Sequence, residues 1–539
     1  MKKPIERIII VGGGSSGWMS AAILCKRFPE LEIAVIESPD LPIIGVGEST
    51  LGSINAFLHM LELKDSDWME YCNATYKLAI KFRDFYEKGD TFYYPFGQKD
   101  IKNTQRGVDD WYFKKTLQPD TPWMDFVDSY YPQMPLIHDN KISSNSNNEI
   151  PLFNFQNDAA YHMDATLFGE YLKENYCKPR GVVFINEHVD RYVLNDSGDL
   201  DYLVLRNGDQ LEADLFIDCT GFRSQILEET MHVPFQSFES WLPNNRAWTC
   251  HVPYTDKEKE IENVTCCTAI NNGWVWNIPL YNRIGSGYVF CSKFISEPDA
   301  LDEYKKYLDS EQMTVPKADR SKDLNFKLIK IKNGVHDVAW KNNVVAIGLS
   351  YGFIEPLEST GLLSVQEILV LLCETLENKQ VNKIHIDNFN YVINTMMHGF
   401  KLFVAYHYTF SSRRDTPYWK YVTENITMDK RMYDDYLRGL QTVAIDYGVR
   451  LIRSHTFRED MGGMVDVLVG MHQKPMNKFA YDWHMYGLMT KGIRDSSMFS
   501  DSTQKYWNTR NAHVKRVSNS CPSHYQYLKE NIFLNKKES

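Results

Sequence analysis

Ile8-Ile9-Ile10-Val11-Gly12-Gly13-Gly14-Ser15-Ser16-Gly17 is the stretch on which the fold turns. Four β-branched residues in a row read as a strand buried on both faces, the glycines as a tight turn, and residues 18–28, ending before Pro29, as a short helix. Gly12, Gly14 and Gly17 occupy the three glycine places of a dinucleotide fingerprint: the turn, the close approach of backbone to pyrophosphate, and the packing of helix on strand. Ser15, Ser16 and Trp18 open the helix and belong to the same cofactor-binding turn. A second strand, Ile33-Ala34-Val35-Ile36, ends on Glu37, 20 residues after Gly17, where an acid that binds a ribose belongs. Strand, turn, helix and acid together predict an α/β, doubly wound, Rossmann-like lobe; a glycine-rich turn without a ligand is the plainer alternative.

At 539 residues the chain exceeds the usual size of one core. Aromatic residues at 13% lean towards an aromatic-lined interior. A formal charge of -11 argues against a nucleic-acid partner, since counterion release needs clustered Lys and Arg. Ten cysteines without a CxxC pair predict reduced thiols in the cytoplasm, with no disulfide and no metal. The first seven residues leave no room for a secretory signal, and no apolar run reaches the roughly 18 residues of a membrane span, so no membrane partner is expected.

Further along, Val182-Val183-Phe184-Ile185, residues 202–206 before an Asn207-Gly208 turn, and Leu215-Phe216-Ile217 read as antiparallel pieces of a substrate-side sheet. Residues 91–150 mix aromatics, prolines and the polar tract Ser143-Ser144-Asn145-Ser146-Asn147-Asn148, and read as an insertion or lid. Val344-Val345-Ala346-Ile347-Gly348 is a buried strand, and 362–376 a buried apolar helix. The organisation expected is a core at 1–380 and a mostly helical substrate-side lobe at 381–539.

Four segments carry chemistry. In Gly348-Leu349-Ser350-Tyr351-Gly352-Phe353-Ile354-Glu355-Pro356-Leu357-Glu358-Ser359-Thr360-Gly361, Ser359 or Thr360 can cap the helix that follows. The open N–H groups there suit an anion; the plainer reading leaves Glu355 and Glu358 solvated. Trp274 and Trp276 alternate on a strand and share a face with Ile278, which by itself reads as core. In Tyr76-Lys77-Leu78-Ala79-Ile80-Lys81-Phe82, a helix would put Lys77 and Lys81 on one face as two solvated charges. Asp218-Cys219-Thr220-Gly221 is a turn at a strand end, and no second GxGxxG follows for a nicotinamide cofactor.

Pro356-Leu357-Glu358-Ser359-Thr360-Gly361, read with Gly273-Trp274-Val275-Trp276-Asn277-Ile278-Pro279, resembles the flavin-dependent halogenases of the tryptophan-halogenase family, and the likeness extends over residues 5–420. The resemblance implies FAD, used as FADH2 from a separate flavin reductase, together with O2 and chloride, bromide or iodide. It assigns FAD to Gly12, Gly14, Ser15, Ser16, Gly17, Trp18, Glu37, Gly47, Glu48, Ser49, Thr50, Asp218, Gly221, Gly348 and Leu349, and the halide to Ser359, Thr360 and Gly361. Trp274 and Trp276 would crowd the flavin face, so that hypohalous acid travels to a separate pocket. There Lys77 positions or carries the halogen, and Glu358 polarises it or takes the ring proton. Choosing Lys77 over Lys81 rests on the resemblance. The likeness continues through Ala405-Tyr406-His407-Tyr408, where His407 reads as a satisfied core histidine.

The substrate expected is an electron-rich aromatic small molecule of indole or phenol type, acted on by a homo-oligomeric enzyme. Segments 91–150 and 430–539 lack the recognisable aromatic sandwich that holds free tryptophan. The alternatives are a single-component FAD-dependent aromatic hydroxylase, which needs an open flavin face and its own use of NADPH, and a flavoprotein that binds a small molecule without catalysis.

Overall fold

The Arg7–Val11 strand lies inside a six-stranded sheet whose order is Trp340–Lys341, Val344–Ala346, Leu215–Asp218, Arg7–Val11, Glu32–Glu37, Val183–Asn186. All its pairings are parallel except the outermost, between Trp340–Lys341 and Val344–Ala346. This computed structural model describes residues 4–40, 45, 47–101, 111–112, 114–115, 118–142, 149–377, 381–425, 462–473 and 496–534. Helix Ser15–Arg27 follows the glycine turn and packs against the apolar helix Thr360–Leu376, which sets both helix N-termini on one side of the sheet.

The large second sheet is a different one from that expected, and it is antiparallel except where Val264–Ala269 pairs parallel with Ala79–Arg83. Seven strands run in the order Lys327–Lys330, Arg246–Val252, Ile284–Phe290, Gly273–Pro279, Val264–Ala269, Ala79–Arg83, Thr91–Pro95. The Val183–Asn186 and Leu215–Asp218 strands, expected in an antiparallel sheet, join the parallel one instead, because a short apolar run carries no information on the direction of its partner. Only Leu200–Leu205 and Gln210–Glu212 pair antiparallel as expected, around Gly208 at φ 92°. The supposed insertion at 91–150 begins with a sheet strand, Tyr94 standing opposite Ile80, and continues through helices Asp125–Tyr130 and Met134–His138. The polar tract 143–148 lies outside the described residues.

Lys77 and Lys81 lie on strands, Thr75–Lys77 and Ala79–Arg83, and not on a helix. The alternation of Tyr76, Leu78, Ile80 and Phe82 is hidden in the sequence because Lys77 and Ala79 between them are buried as well. A small three-stranded sheet then places Ala160–Met163 between Glu48–Ser49 and Thr75–Lys77, with His162 opposite both Ser49 and Thr75.

The described helices beyond residue 380 include Lys383–Thr409, Pro417–Glu424, Gly462–Gly470, Ser496–Ser520 and His524–Asn531. Gly463 and Gly470 let their helix lie directly on the large sheet: a Cβ at either would fall 2.3 Å from the ring of Tyr94 or Phe92. The ten cysteines are buried and free. Among the described residues no helix is long and apolar enough to cross a membrane.

Candidate active site

A cavity of about 370 Å³ opens where the two helix N-termini meet the large sheet. Of the residues singled out in the sequence, Gly14, Ser15, Ser16, Gly47, Glu48, Ser49, Gly221, Gly348, Leu349, Ser359, Thr360, Gly361 and Trp276 line it. The glycine turn has the form a pyrophosphate needs. A Cβ on Gly12, at φ 114°, would sit 2.2 Å from the Cys219 carbonyl oxygen, and one on Gly17 would sit 1.9 Å from that of Gly12, whereas nothing lies within 4 Å of a Cβ on Gly14. The backbone is therefore pressed tight on its inner side and open on the cavity side, which fits a dinucleotide such as FAD.

Other predicted cofactor residues stand behind this lining. Glu37 accepts hydrogen bonds from Trp18 Nε1 at 3.3 Å and Lys173 Nζ at 3.0 Å. The Asp218 carboxylate is taken up by the N–H groups of Thr220, Ile226 and Leu227, so it shapes the turn that presents Gly221. Thr50 turns its hydroxyl to the Tyr161 backbone and its carbonyl to Lys77. The Trp276 ring fits over Gly287 on the neighbouring strand, where a Cβ would fall 2.2 Å away, and with Ile278 it forms one cavity wall. Trp274, its ring centroid 5.9 Å from that of Trp276, is fully buried one layer back.

Behind Ser359 lies a group of buried ionisable side chains. Lys77 is fully buried and donates to the Thr50 carbonyl at 2.8 Å and to Ser359 Oγ at 3.0 Å, with the Phe96 ring 4.8 Å from its Nζ. Burial lowers its pKa to about 7, against the pull of Cys267, Glu358 and Glu48. Glu358 is fully buried too, and desolvation raises its pKa while His407 and Lys77 oppose the rise. His407 Nε2 stands 2.8 Å from Glu358 Oε1, and this contact is what chiefly opposes the rise. On the cavity side Glu48, only half-buried, faces Gly361, and desolvation raises its pKa to about 7 against the pull of Lys77.

Three expectations change here. Glu355 and Glu358 are buried, and Glu355 accepts the Tyr408 hydroxyl. Ser359 holds the cap position at φ 57° yet its hydroxyl makes no capping bond; it serves Lys77 and Ser49 instead. His407 is core by burial but touches Glu358, a contact invisible from a lone His on a helix. Sequence reading also missed Asp466 on helix Gly462–Gly470. It is buried, it accepts from Tyr131 at 2.7 Å and Lys99 at 3.1 Å, and its charge reaches Glu358. One Asp in an apolar helix was the available signal.

The family model described as tryptophan halogenase matches residues 7–467. Tryptophan 6-halogenase SttH of Streptomyces toxytricini is 33% identical over 435 residues, covering 77% of this chain and 80% of that protein. Tryptophan 7-halogenase RebH of Lentzea aerocolonigenes is 32% identical over 439 residues, covering 78% and 79%. Among solved structures, the apo structure of VirX1 superposes with a TM-score of 0.87 at 39% identity, covering 99% of this chain and 100% of that one.

Proposed function

This chain belongs to the tryptophan-halogenase family, and from that premise we propose that it halogenates an electron-rich aromatic small molecule, an indole or a phenol, through hypohalous acid. The observation that carries the reading is the arrangement around Ser359: a glycine-lined, largely apolar cavity on one side, and buried Lys77 and Glu358 on the other. Residues 1–380 act as the FAD-binding core and 381–539 as the substrate-side lobe.

Bound FAD, supplied as FADH2 by a separate reductase, provides with O2 the oxidising equivalent that turns halide into hypohalous acid. The chain's residues do the rest. Gly12, Gly14 and Gly17 shape the pyrophosphate turn, and the first N–H groups of helix Thr360–Leu376, with its dipole behind them, hold the halide at Thr360 and Gly361. Trp276 and Ile278 keep the organic substrate off the cofactor. In its protonated form Lys77 spends two N–H groups on Thr50 and Ser359 and keeps a third for hypohalous acid. Glu358, its pKa raised by burial and its carboxylate met by His407, receives the ring proton released when halogen adds.

A helix terminus holds any halide weakly, whereas oxidation becomes easier from chloride to bromide to iodide. Bromide and iodide are therefore used at least as well as chloride, and on indoles and phenols as well as on tryptophan. Competition among equimolar halides, with FADH2, O2 and a phenol, an indole or free tryptophan, followed by mass spectrometry, tests this. Strict chlorination of tryptophan overturns the halide and substrate assignment, and no halogenated product from any pair overturns the activity.

A further inference from the structure

A continuous line of buried hydrogen bonds runs from Lys77 through the small three-stranded sheet. Lys77 Nζ donates to Ser359 Oγ at 3.0 Å, and Ser359 Oγ donates to Ser49 Oγ at 3.1 Å. Ser49 Oγ lies 2.7 Å from Thr265 Oγ1, and Thr265 Oγ1 lies 2.9 Å from His162 Nε2. His162 Nδ1 lies 3.1 Å from Thr75 Oγ1, which donates to the Pro279 carbonyl at 2.5 Å. Register places the members: His162 is opposite Ser49 on one strand and Thr75 on the other.

Each hydroxyl owns a single proton, so the line has a direction. Thr75 gives its proton to Pro279 and must accept from His162, which fixes a proton on Nδ1. Ser359 gives its proton to Ser49, so Ser49 gives to Thr265 and Thr265 to a bare Nε2. Both ends therefore specify the same neutral tautomer, and complete burial, with Lys77 and His524 nearby, keeps His162 uncharged. With its proton spent, Ser359 Oγ has only a lone pair to offer Lys77 and nothing to donate to a halide.

We propose that His162 and Thr265 are positioning residues of the halogen-transfer site: by fixing the direction of this line they hold Ser359 as an acceptor, and so aim the remaining N–H of Lys77 at hypohalous acid. This rests on the proposed role of Lys77. The Thr265→Val and Thr265→Ser variants differ in whether the line is intact. Thr265→Val should lower kcat for halogenated product about tenfold with KM for the aromatic and Kd for FAD within about twofold, and Thr265→Ser should restore kcat to within about twofold. Equal activity of the two variants overturns the proposal, as does a Val loss explained wholly by weaker FAD binding. A second measurement needs neither activity nor a variant at Thr265. The 15N shifts of His162 in histidine-labelled wild-type protein, assigned by loss of the signal in His162→Gln, should report a proton on Nδ1. A proton on Nε2 instead, or on both nitrogens at neutral pH, overturns the proposal even if halogenation is confirmed.

Discussion

On the cavity side of Ser359 the walls are mostly glycine backbone and apolar side chains such as Trp276 and Ile278, with the half-buried Glu48 carboxyl among them, whereas on its far side Lys77, Glu358 and His407 are fully removed from water. The two regions face opposite energetic demands. An apolar, backbone-lined cavity costs little to keep and is suited to binding. Taking a single charge out of water costs several kcal/mol even after relaxation, and that arrangement concentrates where chemistry is done. Under the proposed function, cofactor binding falls on one side and halogen transfer on the other. Ser359 touches both, through a hydroxyl bonded to Ser49 and Lys77.

The sharpest way to break that division is Lys77→Ala. Halogenated product should fall by about a thousandfold or more, while FADH2 oxidation in stopped flow stays within about twofold of wild type. Lys81→Ala is the matched control: its ammonium lies 3.9 Å from Glu262 near the sheet edge, and it should leave product formation unchanged. Equal loss of flavin oxidation and product in Lys77→Ala would merge the two regions into one. Glu358→Gln comes next and should lower kcat by about a hundredfold without weakening FAD binding, because the amide keeps the shape and loses the ability to take a proton. A wild-type rate would reduce Glu358 to a buried helix-start residue.

The same division governs what could be read in the sequence. The cavity side is local: Gly12, Gly14 and Gly17 lie within one turn, and their constraints act on neighbouring backbone, so the Arg7–Val11 strand, the Ser15–Arg27 helix and their sheet were legible. The Lys77 side is assembled from strands distant in the chain, and nothing in the residues around Lys77 encodes Ala160–Met163 as its neighbour or His162 as part of its support. Lys77 and Glu358 were found through family likeness, since a buried Lys and a solvated one look alike in one sequence. The plain reading of Lys77 and Lys81 as two solvated charges on one helix face fails for that reason, a strand buried on both faces having no visible period.

The smallest effect bears on the cost of burial itself. Burial brings the Lys77 pKa down to about 7 in the folded protein from an ordinary value of 10.5, against the pull of Glu358 and Glu48. Between pH 7 and 10.5 the unfolded chain holds a proton on this side chain that the folded chain has lost, so the cost of burying the ammonium, fully present below pH 7, is relieved as pH rises across that window. Glu48, raised to about 7, acts in the opposite sense between pH 4.5 and 7, where the folded chain keeps a proton the unfolded chain has released. Lys77→Met removes the first dependence and keeps the shape of the chamber. The melting temperature of wild type relative to Lys77→Met should therefore climb by a few degrees from pH 7 to pH 10, titrations that do not feel Lys77 cancelling in the difference and Glu48, which does, adding to it near pH 7. The slope, and not the offset, is the readout, because Met also strands the Thr50 carbonyl that Lys77 satisfied. A flat difference would mean that Lys77 is as protonated in the folded chain as in the unfolded one, and would remove the energetic contrast between the two sides of Ser359.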